Sequence, residues 1–424
     1  MIDKREIIEF AHEFSLSPDV VEKDYTLGWV LAGIANHPAL GSQWVFKGGT
    51  CLKKCYFETY RFSEDLDFTL SDYEQLDKGF LADALGEISD WVYESSGVEL
   101  PRGDIRIEIF RNPRGNISAQ GRISYRGPLQ RRGNLPRIKL DLTADEILVM
   151  EPVARDVYHP YADRPEDPIR VHCYSFEETF AEKIRALAER GRPRDLYDVV
   201  NIFRHDELRP DPATVLDVLK KKCSFKEIAV PDKELFENEP LRDELVADWE
   251  SMLGHQLPAL PPFEKYWSEI AAVFDWLYGR IEKAVLPEAR VVQESNLDET
   301  WRPPSMASAW HTAIPLEPVR FAAANRLCVE LTYGGTSRII EPYSLRRTRD
   351  GNILLFAVKH HTGELRAYRV DRIQNARITQ ESFNPRYRVE LTPAGPLFAP
   401  ETTKRPSLPG SATSRRRSGR RRHS

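Results

Sequence analysis

The chain has little of what most quickly assigns a protein to a class. Its 424 residues include only five cysteines, an odd number, and no CxxC pair. That argues against a disulfide-stapled secreted scaffold and against a zinc-finger ligand set, and points to reduced thiols in a cytoplasm. Cys51 and Cys55 stand four apart on an expected helix, but no second ligand pair follows them, so the sequence gives a metal site there thin support. No run of eighteen apolar residues occurs, which argues against a transmembrane helix. The opening MIDKREIIEF is charged and has no apolar leader stretch. No internal repeat is present. A basic field is missing too. The net charge is −5, yet residues 404–424 (KRPSLPGSATSRRRSGRRRHS) carry eight positive charges and no acid, which leaves −13 for residues 1–403. The body is acidic, and no whole-protein attraction to nucleic acid follows from it.

What is present fits a globular protein of two or three domains: 41% apolar and 29% charged residues over 424 positions. Residues 3–37 read as helical, with Ser17-Pro18 starting a second helix. Trp44–Lys47 reads as a short strand, Gly48-Gly49 as a tight turn, Thr50–Phe57 as the first turns of a helix and Asp65–Leu70 as a strand. A helical period covers 72–96. Three stretches then alternate with period two, at 104–111, 116–126 and 137–142, and another strand is expected at 169–174. SFEE, from Ser175, reads as a capping box before a helix to about Glu189. Helices dominate to about Ala284, broken at Pro210, Pro231 and Pro258. Residues 286–324 read as a linker, 325–392 as a small all-β module and 393–424 as a disordered basic tail. The expected class is therefore α+β: a domain at 1–174 with a mixed sheet, a helical domain at 175–285, then the β module.

The stretch FKGGTCLKKCYFETYRFSEDLDFTL, residues 46–70, carries the chemistry. On a strand, Asp65 and Asp67 project to one side with Cα atoms roughly 6.6 Å apart. Two carboxylates that close repel unless a cation sits between them, and Mg²⁺, which takes hard oxygen ligands and keeps water and phosphate oxygens, suits the pair. Gly48-Gly49 lets backbone approach a phosphate, and the helix that follows offers free N–H groups. In RIKLDL, Lys139 and Asp141 share one strand face and Ile138, Leu140 and Leu142 the other. Asp141 could complete a two-metal site or act as base on an incoming hydroxyl. The bland alternative is a set of solvated edge acids. A second constellation is AEKIRALAERGRPRDLYDVVNIF. Glu178, Glu182, Arg185 and Glu189 lie near one helical face, and Lys183 and Arg190 are about two turns apart. With Arg192, Arg194 and Asp195 they could neutralise phosphate oxygens, Asp198 positioning a lysine, or simply form a salt-laced surface helix.

These strings resemble the AbiEii/AbiGii-type nucleotidyltransferase toxin family: VVEKDYTLGWVLAGI at 20–34, FKGGTCLKK at 46–54, RFSEDLDF at 61–68, IKLDLT at 138–143 and EETFAEKIRALAERGRPRDLYDVVNIF at 177–203. The resemblance spans residues 1–285. It implies a nucleotidyltransferase-superfamily fold backed by a helical bundle, and metal-dependent transfer of a nucleoside monophosphate from an NTP to an acceptor. The expected acceptor is RNA, at the 3′ end of tRNA, in a toxin–antitoxin or phage-defence system with a cognate antitoxin. Carried onto this chain, Gly48, Gly49 and Thr50 form the phosphate turn. Lys47, Ser63 and Lys183 join them around the nucleotide, and either Lys53 or Lys54 could stand in for Lys47. Asp65, Asp67 and Asp141 bind Mg²⁺, and Lys183 with Asp198 forms the second catalytic motif.

The β module resembles WYL-type sensor domains in SRIIEPYSLRRTRDGNILLFAVKHHTGELRAYRVDRI, which implies a small SH3-like β-barrel. The three-residue signature of those domains is replaced by Ile353, Leu354 and Leu355. Arg338, Arg346, Arg366, Arg369 and Arg372 are candidates for an anionic ligand or nucleic acid, against a solvated barrel face. Two other functions stay open at this stage. One is a nucleotide- or ligand-sensing regulator acting through the β module. The other is a transferase acting on protein or free nucleotide. Clustered acids favour an enzyme, since pure nucleotide binding has no need of them.

Overall fold

The computed structural model describes residues 1–111, 115–205, 208–237, 239–291, 296–301 and 314–391. The Arg-rich tail lies outside the described residues.

Two helices open the chain. Asp3 caps α1 (Lys4–Phe14), and Ser17, with Pro18 at the first helical position, caps α2 (Pro18–Asn36). Strand β1 (Trp44–Lys47) runs directly into a one-turn helix, α3 (Gly48–Cys51), and then a π-helical turn, Leu52–Tyr56. The helix expected after the glycine pair is thus short and widened. Then follow β2 (Asp65–Leu70), α4 (Lys78–Ser96), β3 (Arg106–Arg111), β4 (Ile117–Ser124), β5 (Arg137–Thr143), β6 (Val153–Asp156) and β7 (Arg170–Cys173). Strand β6 has no counterpart in the sequence reading, because VARD is too short and too polar to alternate. The seven strands form one mixed sheet in the order β3-β4-β5-β2-β1-β7-β6. Two pairs, β2 with β5 and β1 with β7, are parallel, and the other neighbours are antiparallel.

Strand alternation splits this sheet into two faces. Phe46, Leu66, Phe68, Ile138, Leu140, Leu142, Ala119 and Ile123 are all buried on the apolar face. That face meets α4: a Cβ at Gly121 would stand 3.2 Å from Leu140 Cβ and 3.8 Å from Leu85 of α4. The opposite face is polar.

Helices α5 (Phe176–Arg190), α6 (Pro193–Arg204), α7 (Pro212–Lys226), α8 (Glu239–Leu253) and α9 (Phe263–Leu277) follow. Ser175 caps α5 through the Glu178 amide. The reciprocal half of the capping box is not made. Glu178 turns instead to the backbone N–H groups of Val149 and Met150, at 3.0 and 2.9 Å, and to Lys222 at 2.9 Å. Within the stretch read as a linker, residues Glu317–Ala324 form a helix, α10. The module after it is one antiparallel sheet of β8 (Leu327–Tyr333), β9 (Thr336–Arg347), β10 (Ile353–Lys359), β11 (Leu365–Arg369) and β12 (Ile373–Ser382), ordered β11-β10-β9-β8-β12. Among the described residues no ladder joins β11 to β12. The module is an open five-stranded sheet, not the closed barrel the resemblance implied. Its hairpin turns fall at Gly334, Gly351 and Gly363, all with positive φ. No helix among the described residues is long and apolar enough to cross a membrane.

The module is docked on the rest of the chain through α10. The Thr59 hydroxyl donates to Glu317 at 2.5 Å, and Arg320 lies 3.6 Å from Glu58. Tyr197 of α6 and Tyr266 of α9 both donate to the side-chain oxygen of Asn325, at 2.8 and 2.7 Å.

Candidate active site

Strand register assembles the polar face. Gln120 of β4 pairs with Asp141 of β5, Asp141 with Asp67 of β2, and Asp67 with Lys47 of β1. These four side chains form one row across the sheet. One step along, Arg122, Lys139 and Asp65 form a second row. Parallel pairing of β2 and β5 therefore brings together acids that lie more than seventy positions apart in the chain.

At the end of β1 the backbone turns through Gly48, with φ of +82°. A Cβ there would stand 2.2 Å from the Asp67 carboxylate, so neither the conformation nor the space admits another residue. At Gly49 a Cβ would meet the Arg61 guanidinium at 2.4 Å and Ser63 Oγ at 3.1 Å. Thr50 does not point to the polar face through its hydroxyl; it is buried and donates to the Asp65 carbonyl at 2.5 Å, tying the turn to β2.

Of the three lysines around the turn, Lys47 alone belongs to the polar row. Its ammonium lies 3.7 Å from Glu146 and 5.9 Å from the centre of the Tyr174 ring. Lys54 is fully buried on Asp24 at 2.7 Å. Lys53 donates to the Glu58 carbonyl and sits over the Phe62 ring at 4.8 Å; burial pulls its ammonium down to about 8. The π-turn sends both lysines inward.

The second constellation is a buried ionic knot. Asp198 of α6 accepts from Arg61 Nε at 2.7 Å, from Arg61 Nη2 at 2.7 Å and from Tyr60 at 2.8 Å. Lys183 of α5 lies 2.7 Å from the same carboxylate and 3.5 Å from Asp195. Burial alone would raise the Asp198 carboxyl; the Arg61 and Lys183 charges override it and hold the group far below the usual range. Asp195 is also clamped by Arg190 at 2.7 Å. The alternative of a solvated salt-laced face does not hold here: Arg185, which pairs with Glu182 and Glu189, is itself buried, and of the three only Glu189 is exposed. Arg61, Tyr60, Gln120 and Glu146 had no role in the sequence reading. Arg61 stood in the quoted string RFSEDLDF, but its partner lies 137 residues away and no local spacing reveals it.

Electrostatics set Asp67 apart. Burial pushes its carboxyl up, as do Asp141 and Asp65, while Lys47 and Lys183 pull it back. Asp65 is raised as well, first by burial. Among the described residues neither carboxylate accepts a side-chain hydrogen bond or an ion pair, so two partly buried acids share a face without a tethered cation. This donor set fits a hard divalent cation. Asp141 is turned aside: Lys139 holds it at 2.6 Å and Gln120 at 3.1 Å. The three carboxylates accordingly do not gather within 4.8 Å, the spacing that Cys51, Cys55 and Cys173 do reach, as do Cys328, His360 and Glu381.

Residues 29–278 match the family described as nucleotidyl transferase AbiEii toxin, type IV toxin–antitoxin system, and residues 316–378 match the WYL domain. No curated protein matches the chain. Solved structures that resemble it include MenT4, a nucleotidyltransferase toxin from Mycobacterium tuberculosis H37Rv, at 18% identity and a TM-score of 0.45, covering 66% of this chain and 90% of that one. JHP933 from Helicobacter pylori resembles it at 19% identity and a TM-score of 0.40, covering 62% and 94%.

Proposed function

The chain belongs to the AbiEii nucleotidyltransferase toxin family, and from that premise we propose that it transfers a nucleoside monophosphate from an NTP to the 3′ end of tRNA, dependent on Mg²⁺. The observation that carries the proposal is the register row Lys47–Asp67–Asp141–Gln120 beside the positive-φ turn at Gly48.

In this reading Asp65 and Asp67 hold the metal, with Asp141 as third carboxylate. When bound, the divalent cation neutralises phosphate charge and orients the triphosphate for in-line attack. The side chains do the rest. The turn at Gly48-Gly49 lets backbone approach the phosphates, and Ser63 lies beside it. Lys47 and Lys183 bring positive charge to the Asp67 side of the row and stabilise the charge that develops on the departing pyrophosphate. Asp198, locked by Arg61, fixes where the Lys183 ammonium points. Asp141 accepts the proton of the attacking hydroxyl once Lys139 moves aside. Family membership implies an antitoxin as partner; a role in phage defence and a cytoplasmic location are part of the same proposal. A sensing regulator without transfer leaves the paired, partly buried carboxylates of Asp65 and Asp67 unexplained.

The test is purified protein with each labelled NTP, Mg²⁺ and total cellular RNA, followed by a gel and mass spectrometry of RNA ends. Label on tRNA 3′ ends is expected. Label on protein, or none on any acceptor, would overturn the proposed acceptor.

A further inference from the structure

The β module holds a cluster that the transferase chemistry does not use. Cys328 is the second residue of β8, Glu341 lies on β9, His360 follows the last residue of β10, and Glu381 lies near the end of β12. The order of those strands brings all four to one end of the sheet. Cys328 and Glu341 are buried, at 0% and 1% exposure. The His360 side chain is 27% exposed and that of Glu381 54%, so the cluster opens to solvent on one side.

The distances restrict what His360 can be. Its Nδ1 lies 2.9 Å from Glu341 Oε1 and 3.5 Å from Cys328 Sγ, and its Nε2 lies 3.8 Å from Glu381 Oε2. A neutral ring that donates Nδ1–H to the buried Glu341 carboxylate turns the Nε2 lone pair toward a second carboxylate. Two acceptors then face each other, and a cation there, a second ring proton or a metal ion, relieves the conflict; the Cys328 thiol, 3.5 Å from Nδ1, reaches a metal ion at Nε2 by rotation about its Cα–Cβ bond. One atom from each of Cys328, His360 and Glu381 lies within 4.8 Å of the others. Bonds of about 2.0–2.3 Å from a tetrahedral ion place its ligands roughly 3.5 Å apart, and the exposed Glu381 side chain has the freedom to draw in. Sulfur, imidazole and carboxylate together suit a borderline ion such as Zn²⁺ better than Mg²⁺ or Ca²⁺, which prefer oxygen alone. A carboxylate on the far nitrogen of a ligating imidazole is the usual way such a ring is oriented.

We propose that Cys328, His360 and Glu381 form a zinc-type transition-metal site in the C-terminal module, with Glu341 as the positioning residue for His360 and one coordination position open to solvent. Arg386, 3.7 Å from Glu341, offsets part of the buried charge without entering the cluster of donors. The site is independent of the nucleotide site, which offers no thiol.

The experiment uses the full chain, metal-stripped and titrated with Co²⁺ as a spectroscopic probe and with Zn²⁺ in competition. A thiolate-to-Co²⁺ charge-transfer band is expected, displaced by Zn²⁺. It should vanish in Cys328→Ser and persist in Cys173→Ser, which removes a thiol from the other cysteine cluster. Because Glu381 is exposed, Glu381→Gln tests the site without threatening the fold, and its affinity should fall at least about tenfold; Glu341→Gln should weaken binding by about tenfold or more. The absence of a band in the wild type would overturn the proposal. So would a band lost in Cys173→Ser but kept in Cys328→Ser, or unchanged affinity in Glu381→Gln.

Discussion

Replacing Asp67 separates two effects that the native carboxylate combines. Its ionised form is disfavoured by burial beside Asp65 and Asp141. An acid whose folded pKa is raised contributes most stability below its unfolded pKa and loses it as pH rises through the folded value. At neutral pH, in metal-stripped protein, Asp67→Asn should therefore melt higher than wild type while transferring nucleotide at less than about a tenth of the wild-type rate. Differential scanning fluorimetry and a transfer assay check the two halves, and a variant that stays active would remove Asp67 from the metal site. Asp198 has the opposite sign. Its depressed pKa gives stability that is present above the unfolded carboxylate pKa and lost as pH falls toward the folded one. In a carbon-detected NMR titration of stripped protein, Asp67 should protonate above the ordinary aspartate range, and Asp198 should stay ionised to far lower pH. The lysines divide similarly. Lys47→Ala should raise KM for NTP and leave the melting temperature near wild type, whereas Lys53→Ala should lower the melting temperature; the reverse pattern would exchange their assigned roles.

Between elements, the α5–α6 knot fixes a lysine by burying its counter-charge. Asp198→Ala would leave Arg61 and Lys183 without their carboxylate in an interior that exposes none of the three by more than 6%. The expected loss is about 3–5 kcal/mol, measurable by urea denaturation; a loss under about 1 kcal/mol would mean that water or Asp195 takes over the pairing. These elements also mark what the sequence discloses. The alternation of DLDFTL and RIKLDL, the Ser17 and Ser175 caps and the long helical periods are local signals, and the elements formed on them, although the helix expected from residue 72 starts only at Lys78, after a short turn at Tyr73–Gln75. The parallel pairing of β2 with β5 is not local, so the two strand patterns could suggest that Asp141 joins Asp65 and Asp67 but could not give the register that sets Asp141 beside Asp67. The π-turn was unreadable because it depends on Asp24 and Glu58 drawing Lys54 and Lys53 inward. Helix α10 was hidden by its setting: a Pro-rich approach suggests a connection, and only burial against α1 and β8 stabilises eight residues as a helix.

For the whole molecule, charge is divided between an acidic body and a basic end. We propose that residues 404–424 hold RNA near the site. Each phosphate contact on a single strand contributes roughly 0.7 to the log–log dependence of affinity on salt, so deleting the segment should flatten that slope by about one or two units and raise KM for RNA, with KM for NTP unchanged. Filter binding across salt concentrations decides it, and identical slopes would mean that the body alone holds the acceptor. The docking of α10 has another kind of outcome. Asn325 takes hydroxyls from both Tyr197 and Tyr266, and Glu317 takes the hydroxyl of Thr59. Removing everything after residue 285 would strip partners from groups buried in the helical core, so the shortened toxin should aggregate rather than act unrestrained. Such a joint limits how the gene can evolve. A lineage could not trade this C-terminal module for an unrelated one by simple recombination, because the incoming piece would have to supply an acceptor for two tyrosines at its first contact. The two halves are bound to be inherited together, and change in either is expected to leave a matching change across the seam.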